Sequence, residues 1–331
     1  MAHQLIERKQ NFTLDRKVLS VDTNDRDINK WPNPCEFEVS CPQSYNNIES
    51  IRLLNIQTPN KFYNISEYLQ NNKLIIRVSG LDPEIITLDD GYYSIQNLVN
   101  SLNNDLSVNP INIKVKHNEL NNKIYFGHDT SGFDLTFNSK DLSYNKNCKD
   151  LNYHYNNIYK QHSKWGLGAI LGFNKETVSS KKESTKNQFK YDTTEWVSND
   201  NNIIESFKAV DLDEYQNIYI EVDKLNKSDE IKPYVVDKIN NTNSGIMNSF
   251  FAKVPIIKNE LNQSINTKDF CIEGVSYFQP PLENINKLKI KIRYHNGLLV
   301  DLQNYNISMT FEINQIRNEI KDYNVRTPYL M

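Results

Sequence analysis

The stretch Lys287–Leu302, KLKIKIRYHNGLLVDL, decides the fold. Two apolar-rich runs flank Asn296-Gly297, and Asn-Gly supplies the positive φ angles that a tight type I′ turn needs, so the stretch reads as a β-hairpin. Strand patterns continue on both sides of it. DFCIEGVSYF (Asp269–Phe278) precedes it and YNISMTFEI (Tyr305–Ile313) follows it, while NIYIEV (Asn217–Val222) and FFAKVPII (Phe250–Ile257) lie further upstream. Pro280-Pro281 falls between strands, where a missing N–H does no harm. Near the start, CEFEV (Cys35–Val39), NIESIRLLNIQTP (Asn47–Pro59) and NKLIIRVSG (Asn72–Gly80) are alternating or fully apolar runs punctuated by Pro, Gly and Asn.

The periodicity changes once. Ile95, Leu98, Val99, Leu102 and Leu106 recur at helical spacing, with Ser94 as N-cap and Asn109-Pro110 as terminator. The runs INIKVKH (Ile111–His117), NKIYFG (Asn122–Gly127) and FDLTF (Phe133–Phe137) give this helix an α+β module to lie on. The sequence therefore predicts a mainly β fold, a jelly-roll-like β-sandwich with an inserted small α+β module. The expected boundaries are a polar N-terminal arm at 1–17, and a sandwich of early and late strands at 18–84 plus 205–316. The module with long polar loops occupies 85–175, a polar insertion 176–204, and a C-terminal arm 317–331.

Composition bounds the function. The 331 residues carry a net charge of −3 with the two signs interleaved, and the densest basic run, Ser179–Lys190, is diluted by Ser, Asn and Gln, so no nucleic-acid partner is indicated. Alanine is nearly absent while Asn, Lys, Ile and Tyr abound, as an A/T-rich genome produces. No apolar run reaches membrane-spanning length, and MAHQLIERKQNF at the start has no apolar core, so no signal peptide or membrane span is expected. Cys35, Cys41, Cys148 and Cys271 lack the paired spacing of a zinc site.

Chemistry-bearing patterns are few. Asp22, Asn24, Asp25 and Asp27 crowd ahead of Trp31-Pro32-Asn33-Pro34, yet Arg26 sits among them and no Gly follows until Gly80, so the pattern of a calcium loop is not met. Asp22, Asp25, Arg26 and Asp27 are read as a turn network in which the carboxylates accept backbone N–H bonds, Arg26 bridges two of them, and the prolines force an extended entry into the first strand. Gly166, Gly168 and Gly172 make a G-x-G-x-x-x-G near-match without the strand that a dinucleotide fingerprint requires, and form a tight apolar corner instead. No metalloprotease, nucleophile-elbow or Walker pattern occurs. Neither catalysis, a cofactor nor a metal is expected. Tyr153, Tyr155 and Tyr159, in a polar segment, are candidate contact residues, because Tyr offers a large amphipathic area at low entropy cost.

The order of landmarks carries a resemblance. VDTNDRDINKWPNPCEFEV (Val21–Val39) is followed by YNNIESIRLLNIQTPNKFYNIS (Tyr45–Ser66) and ITLDDGYYSIQNLVNSLNNDL (Ile86–Leu106). WGLGAILGF (Trp165–Phe173), FFAKVPI (Phe250–Ile256) and the long run Tyr277–Ile313 come later. In this order the chain resembles virion structural proteins of the nucleocytoplasmic large DNA viruses, the giant-virus group. Thr23 stands where Ser is commoner in them, and 139–205 is unusually polar. The resemblance implies a non-enzymatic minor capsid or penton-type component, made in cytoplasmic viral factories of the host. Its partners would be other capsid proteins, the major capsid protein and minor components, with homo-oligomers also in view. The alternative is a vertex protein, or a receptor- or glycan-binding protein of the virion surface.

Overall fold

The computed structural model describes residues 12–59, 62–108, 110–142, 164–183, 201–213, 216–231, 247–256, 264–266, 274–303 and 305–318. In chain order the elements begin β1 (Phe12–Asp22), β2 (Glu36–Gln57), β3 (Lys73–Val78), β4 (Glu84–Thr87), α1 (Ile95–Leu106), β5 (Lys114–Asn118), β6 (Lys123–His128) and β7 (Phe133–Thr136). They continue α2 (Gly166–Ile170), β8 (Thr177–Ser179), β9 (Lys181–Glu183), β10 (Asn201–Glu205), β11 (Asn217–Val222) and β12 (Ser228–Ile231). The last are β13 (Met247–Phe250), β14 (Ala252–Pro255), β15 (Ser264–Asn266), β16 (Val275–Arg293) and β17 (Ser308–Asn318).

The fold is mainly β and jelly-roll-like, built from antiparallel sheets of which the largest is curled into half a barrel. That sheet has seven strands in the order β1-β17-β2-β16-β11-β14, with β15 alongside β2. The long β2 has β17 on one edge, from Gln57↔Ser308 to Ile48↔Gln315, and β16 on the other, from Arg52↔Val275 to Glu36↔Lys291. Register shifts at Tyr277/Leu282, Ile285/Lys287, Thr310/Phe311 and Asn314/Gln315 interrupt these ladders, and such breaks bend and twist a ribbon. Its concave side holds a core that includes Phe37, Ile48, Ile51, Phe251, Ile290, Ile292 and Phe311.

A second core lies between two four-stranded sheets, β5-β6-β10-β9 and β4-β3-β7-β8, and α1. The helix occupies the residues its sequence periodicity predicts, with the Ser94 side chain accepting from Asn97 N at 3.2 Å. Leu98, Val99, Leu102 and Leu106 are buried along one stripe, which the amphipathic pattern requires. α2 is the apolar corner. Gly172 has φ +85°, and a Cβ there would lie 2.1 Å from Lys208 O, so glycine is required on both conformational and steric grounds.

Four local expectations need correction. Pro280-Pro281, expected between strands, lies within β16, at the break in register between Tyr277 and Leu282. Residues 12–17 belong to β1 and pair with β17 along their whole length, from Phe12↔Asn318 to Lys17↔Ile313. Their polar character arises because Leu14 and Arg16 face solvent while Asp15 and Lys17 are only half-buried, so no apolar alternation marks the strand. The Asn296-Gly297 hairpin forms, but only Gly297 has positive φ, at +91°. Tyr294 O accepts from Gly297 N at 3.0 Å and Tyr294 N donates to Leu298 O at 2.8 Å, which makes a three-residue connection closed by one left-handed glycine, not a type I′ turn. Finally β3, assigned from the sequence to the sandwich, pairs with β4 and β7. Its Ile75 enters the first core while Leu74, Ile76 and Val78 enter the second. A run buried on both sides has no preferred face for the sequence to reveal.

Candidate functional site

The acidic knot closes the C-terminal end of β1. Asp22 Oδ1 accepts from Asn24 N and Asp25 Oδ2 from Asp22 N, both at 2.8 Å, a reciprocal cap on the short 3₁₀ turn Thr23–Asp25. Thr23 is fully buried and stitched to the residue that precedes β17: its N donates to Ile307 O at 2.9 Å and its Oγ1 accepts from Ile307 N at 3.1 Å. Asp27 Oδ1 accepts from Asn29 N at 3.0 Å. Arg26 departs from the expected carboxylate bridge. Its guanidinium donates to Thr23 O at 2.6 Å, Trp31 O at 3.1 Å and Pro32 O at 3.5 Å. Backbone N–H groups occupy the carboxylates, so the cation gathers the carbonyls of the turning chain instead. Tyr153, Tyr155 and Tyr159 lie outside the described residues. No three His, Cys, Asp or Glu side chains gather as metal ligands among the described residues.

One titratable cluster escaped the sequence. Arg293, 1 % exposed, pairs through Nε with Glu221 and through Nη2 with Glu230. Its Nη1 donates to Tyr294 O at 3.1 Å, and its guanidinium lies 5.1 Å from the Tyr219 ring centre. His295 Nδ1 is 3.0 Å from the second oxygen of Glu230. Burial first, then the Glu230 charge, pushes the Tyr219 hydroxyl above its ordinary value. A guanidinium shared by two carboxylates is a lock: it ties β12, which carries Glu230, to β11 and β16. The only hint in sequence is parity, since Lys287, Lys289, Lys291 and Arg293 share one face of β16 and only the last is buried.

A second ionic cluster sits on the outer face near the free edge of the large sheet. Glu312 on β17 receives Arg52 at 2.8 and 3.0 Å and also contacts Arg16 of β1. Burial alone would raise the Glu312 carboxyl, but the hydrogen bonds from Arg52 and Asn314 and the charges of Arg52 and Arg16 hold it below the ordinary glutamate range. Beside it, β1 runs eleven residues along β17, and among the described residues no strand pairs with its other edge. Leu14 and Val18 project from it 52 % and 57 % exposed. Toward its C-terminal end a cleft of about 540 Å³ separates Leu19–Val21 from Glu38–Pro42 of β2 and is closed at one side by Asp25 and Asp27. An unpaired edge with outward apolar side chains is a template for another chain.

No family model matches the chain, and no curated protein matches it. Among solved structures it is similar to the crystal structure of selenomethionine-labelled mavirus penton protein, at 11 % identity and a TM-score of 0.35, over 93 % of this chain and 100 % of that one.

Proposed function

We propose that this chain is a non-enzymatic structural protein of a large DNA virus particle, a minor capsid component made in the host cytoplasm that acts by contact with neighbouring capsid proteins. The order of sequence landmarks from Val21 to Ile313 supports the virion role. The observation that supports the contact role is the β1 edge, unpaired among the described residues and with Leu14 and Val18 turned outward, because an open strand edge is a ready template for another chain. The state of the titratable clusters favours contact over catalysis. Glu221, Glu230 and Glu312 are each committed to a guanidinium, which leaves them ill suited to act as general base or nucleophile.

Purified particles provide the test. The protein is expected in a fixed ratio to the major capsid protein after density-gradient purification and protease treatment, and at a defined position in a reconstruction of the shell. Its absence from particles, with accumulation elsewhere in infected cells, overturns the reading.

A further inference from the structure

We propose that the free edge of β1 pairs antiparallel with the same edge of a second copy, about a two-fold axis through Arg16. The inference concerns the isolated chain in solution and does not depend on the virion reading.

The argument is one of register. A strand pairs with its own copy about a two-fold perpendicular to the sheet, and like faces adjoin only if the axis passes through a residue. On β1, Leu14, Arg16, Val18 and Ser20 face outward, while Asp15, Lys17, Leu19 and Val21 face the opposite way, the last two into the core. An axis through Asp15 opposes the two Asp15 side chains and sets Leu14 against Arg16. An axis through Lys17 opposes the two lysines and sets Asp15 against Leu19. An axis through Val18 leaves Lys17 against Leu19 and Leu14 against Asp22. The axis through Arg16 sets Leu14 of each copy against Val18 of the other, and Asp15 of each against Lys17 of the other. That register brings the exposed apolar side chains of β1 together on one face and opposes unlike charges on the other, and directly opposed pairs of these kinds are the favourable ones.

Its one like-charge pair is Arg16 against Arg16. Each guanidinium already contacts the Glu312 carboxylate of its own chain, which offsets the repulsion. Asp15 is likewise poised, 2.6 Å from Arg317 and 3.3 Å from Lys17 of its own chain, so its carboxylate stands among cations before any partner arrives. The charges along the edge thus act as a filter. They discourage foreign pairing, as edge charges commonly do, and of the axes from Asp15 to Val18 only the one through Arg16 sets unlike charges opposite each other.

Sedimentation velocity over a concentration series tests the pairing, with a thermal melt of each variant to verify its fold. The wild-type chain is expected to pass from monomer to dimer. Lys17→Asp, which sets Asp against Asp at two places, should weaken the dimer at least about tenfold. Asp15→Lys combined with Lys17→Asp should restore it. Under mild oxidation Arg16→Cys should give a disulfide-linked dimer and Lys17→Cys should not, because only residue 16 meets itself across the axis. A chain that stays monomeric at all concentrations, a dimer indifferent to Lys17→Asp, a double exchange that fails to restore it in a folded variant, or preferential cross-linking of Lys17→Cys would each overturn the proposal.

Discussion

Glu312 is a buried charge on the outer face of the large sheet, and its worth depends on pH. Its carboxyl titrates below the ordinary glutamate value, because hydrogen bonds and charges from Arg52, Asn314 and Arg16 outweigh the cost of burial. A carboxylate favoured in the folded state adds stability that is fully present above the unfolded value and disappears as pH falls through that value toward the lower folded one. Glu312→Gln removes the charge but keeps the shape. It should cost about 2 kcal/mol at neutral pH, the scale of a charge-assisted hydrogen bond. The gap between wild type and variant should close on acidification below the usual glutamate range. Urea unfolding at neutral and acid pH measures both, and a gap that stays constant with pH would mean that the carboxylate charge contributes nothing. Legibility at this scale followed the range of the contact. Ser94 and Gly297 act within a turn, and their roles were visible in the chain. Glu312 meets Arg52 across 260 positions, a pairing that only strand register creates. Arg26 shows the intermediate case, since its neighbours were known but the claim of backbone N–H groups on the carboxylates decided where the guanidinium turned.

Among elements, the β12–β13 ribbon is held to the large sheet in part by one buried side chain, Glu230. It is a two-stranded sheet on its own, with Ser228↔Phe250 to Ile231↔Met247 in register, and a two-stranded ribbon has little independent stability. The Glu230 link to Arg293 and His295 joins it to the large sheet, as does Tyr219 of β11 packing edge-on against Phe250 at 5.2 Å. Removing one partner of a buried ion pair strands the other, at a cost of about 3–5 kcal/mol, whereas removing the whole charge set together is often nearly neutral. Arg293→Met should therefore destabilise the chain by that amount and raise amide exchange first in β12 and β13. Adding Glu221→Gln and Glu230→Gln should recover much of the loss. If the triple variant is no more stable than Arg293→Met, the stranded carboxylates are not the cause. The elements most readable from sequence were those with one apolar face, α1 above all. β1 was missed because both its faces are wet along residues 14–18, and β3 was misassigned because Leu74, Ile75 and Ile76 are buried in succession, on both faces.

For the whole molecule the question is whether two cores make one cooperative unit. The chain crosses between them repeatedly. Phe62 and Leu69 enter the first core and Ile65, between them, the second; Trp165 belongs to the first and Leu167 to the second. Tyr68 Oη donates to Leu299 O at 2.9 Å, fastening this crossing to the Tyr294–Leu298 hairpin. β3 is the central tie, because Ile75 faces one core while Leu74 and Ile76 on either side face the other. Displacing β3 would open both. Ile75→Ala should cost about 2–4 kcal/mol, the range for truncating a buried Ile. The loss should be shared, with one thermal transition moved down as a unit and amide exchange accelerated alike at Phe126 in the second core and Ile290 in the first. Independent cores would instead give two transitions, only one displaced, and exchange would rise at Ile290 alone. Calorimetry with residue-resolved exchange separates the two results. The shared outcome would mean that the module carrying α1 is held in a fixed pose on the curled sheet, so that any surface it presents is set by the same strands that present the β1 edge.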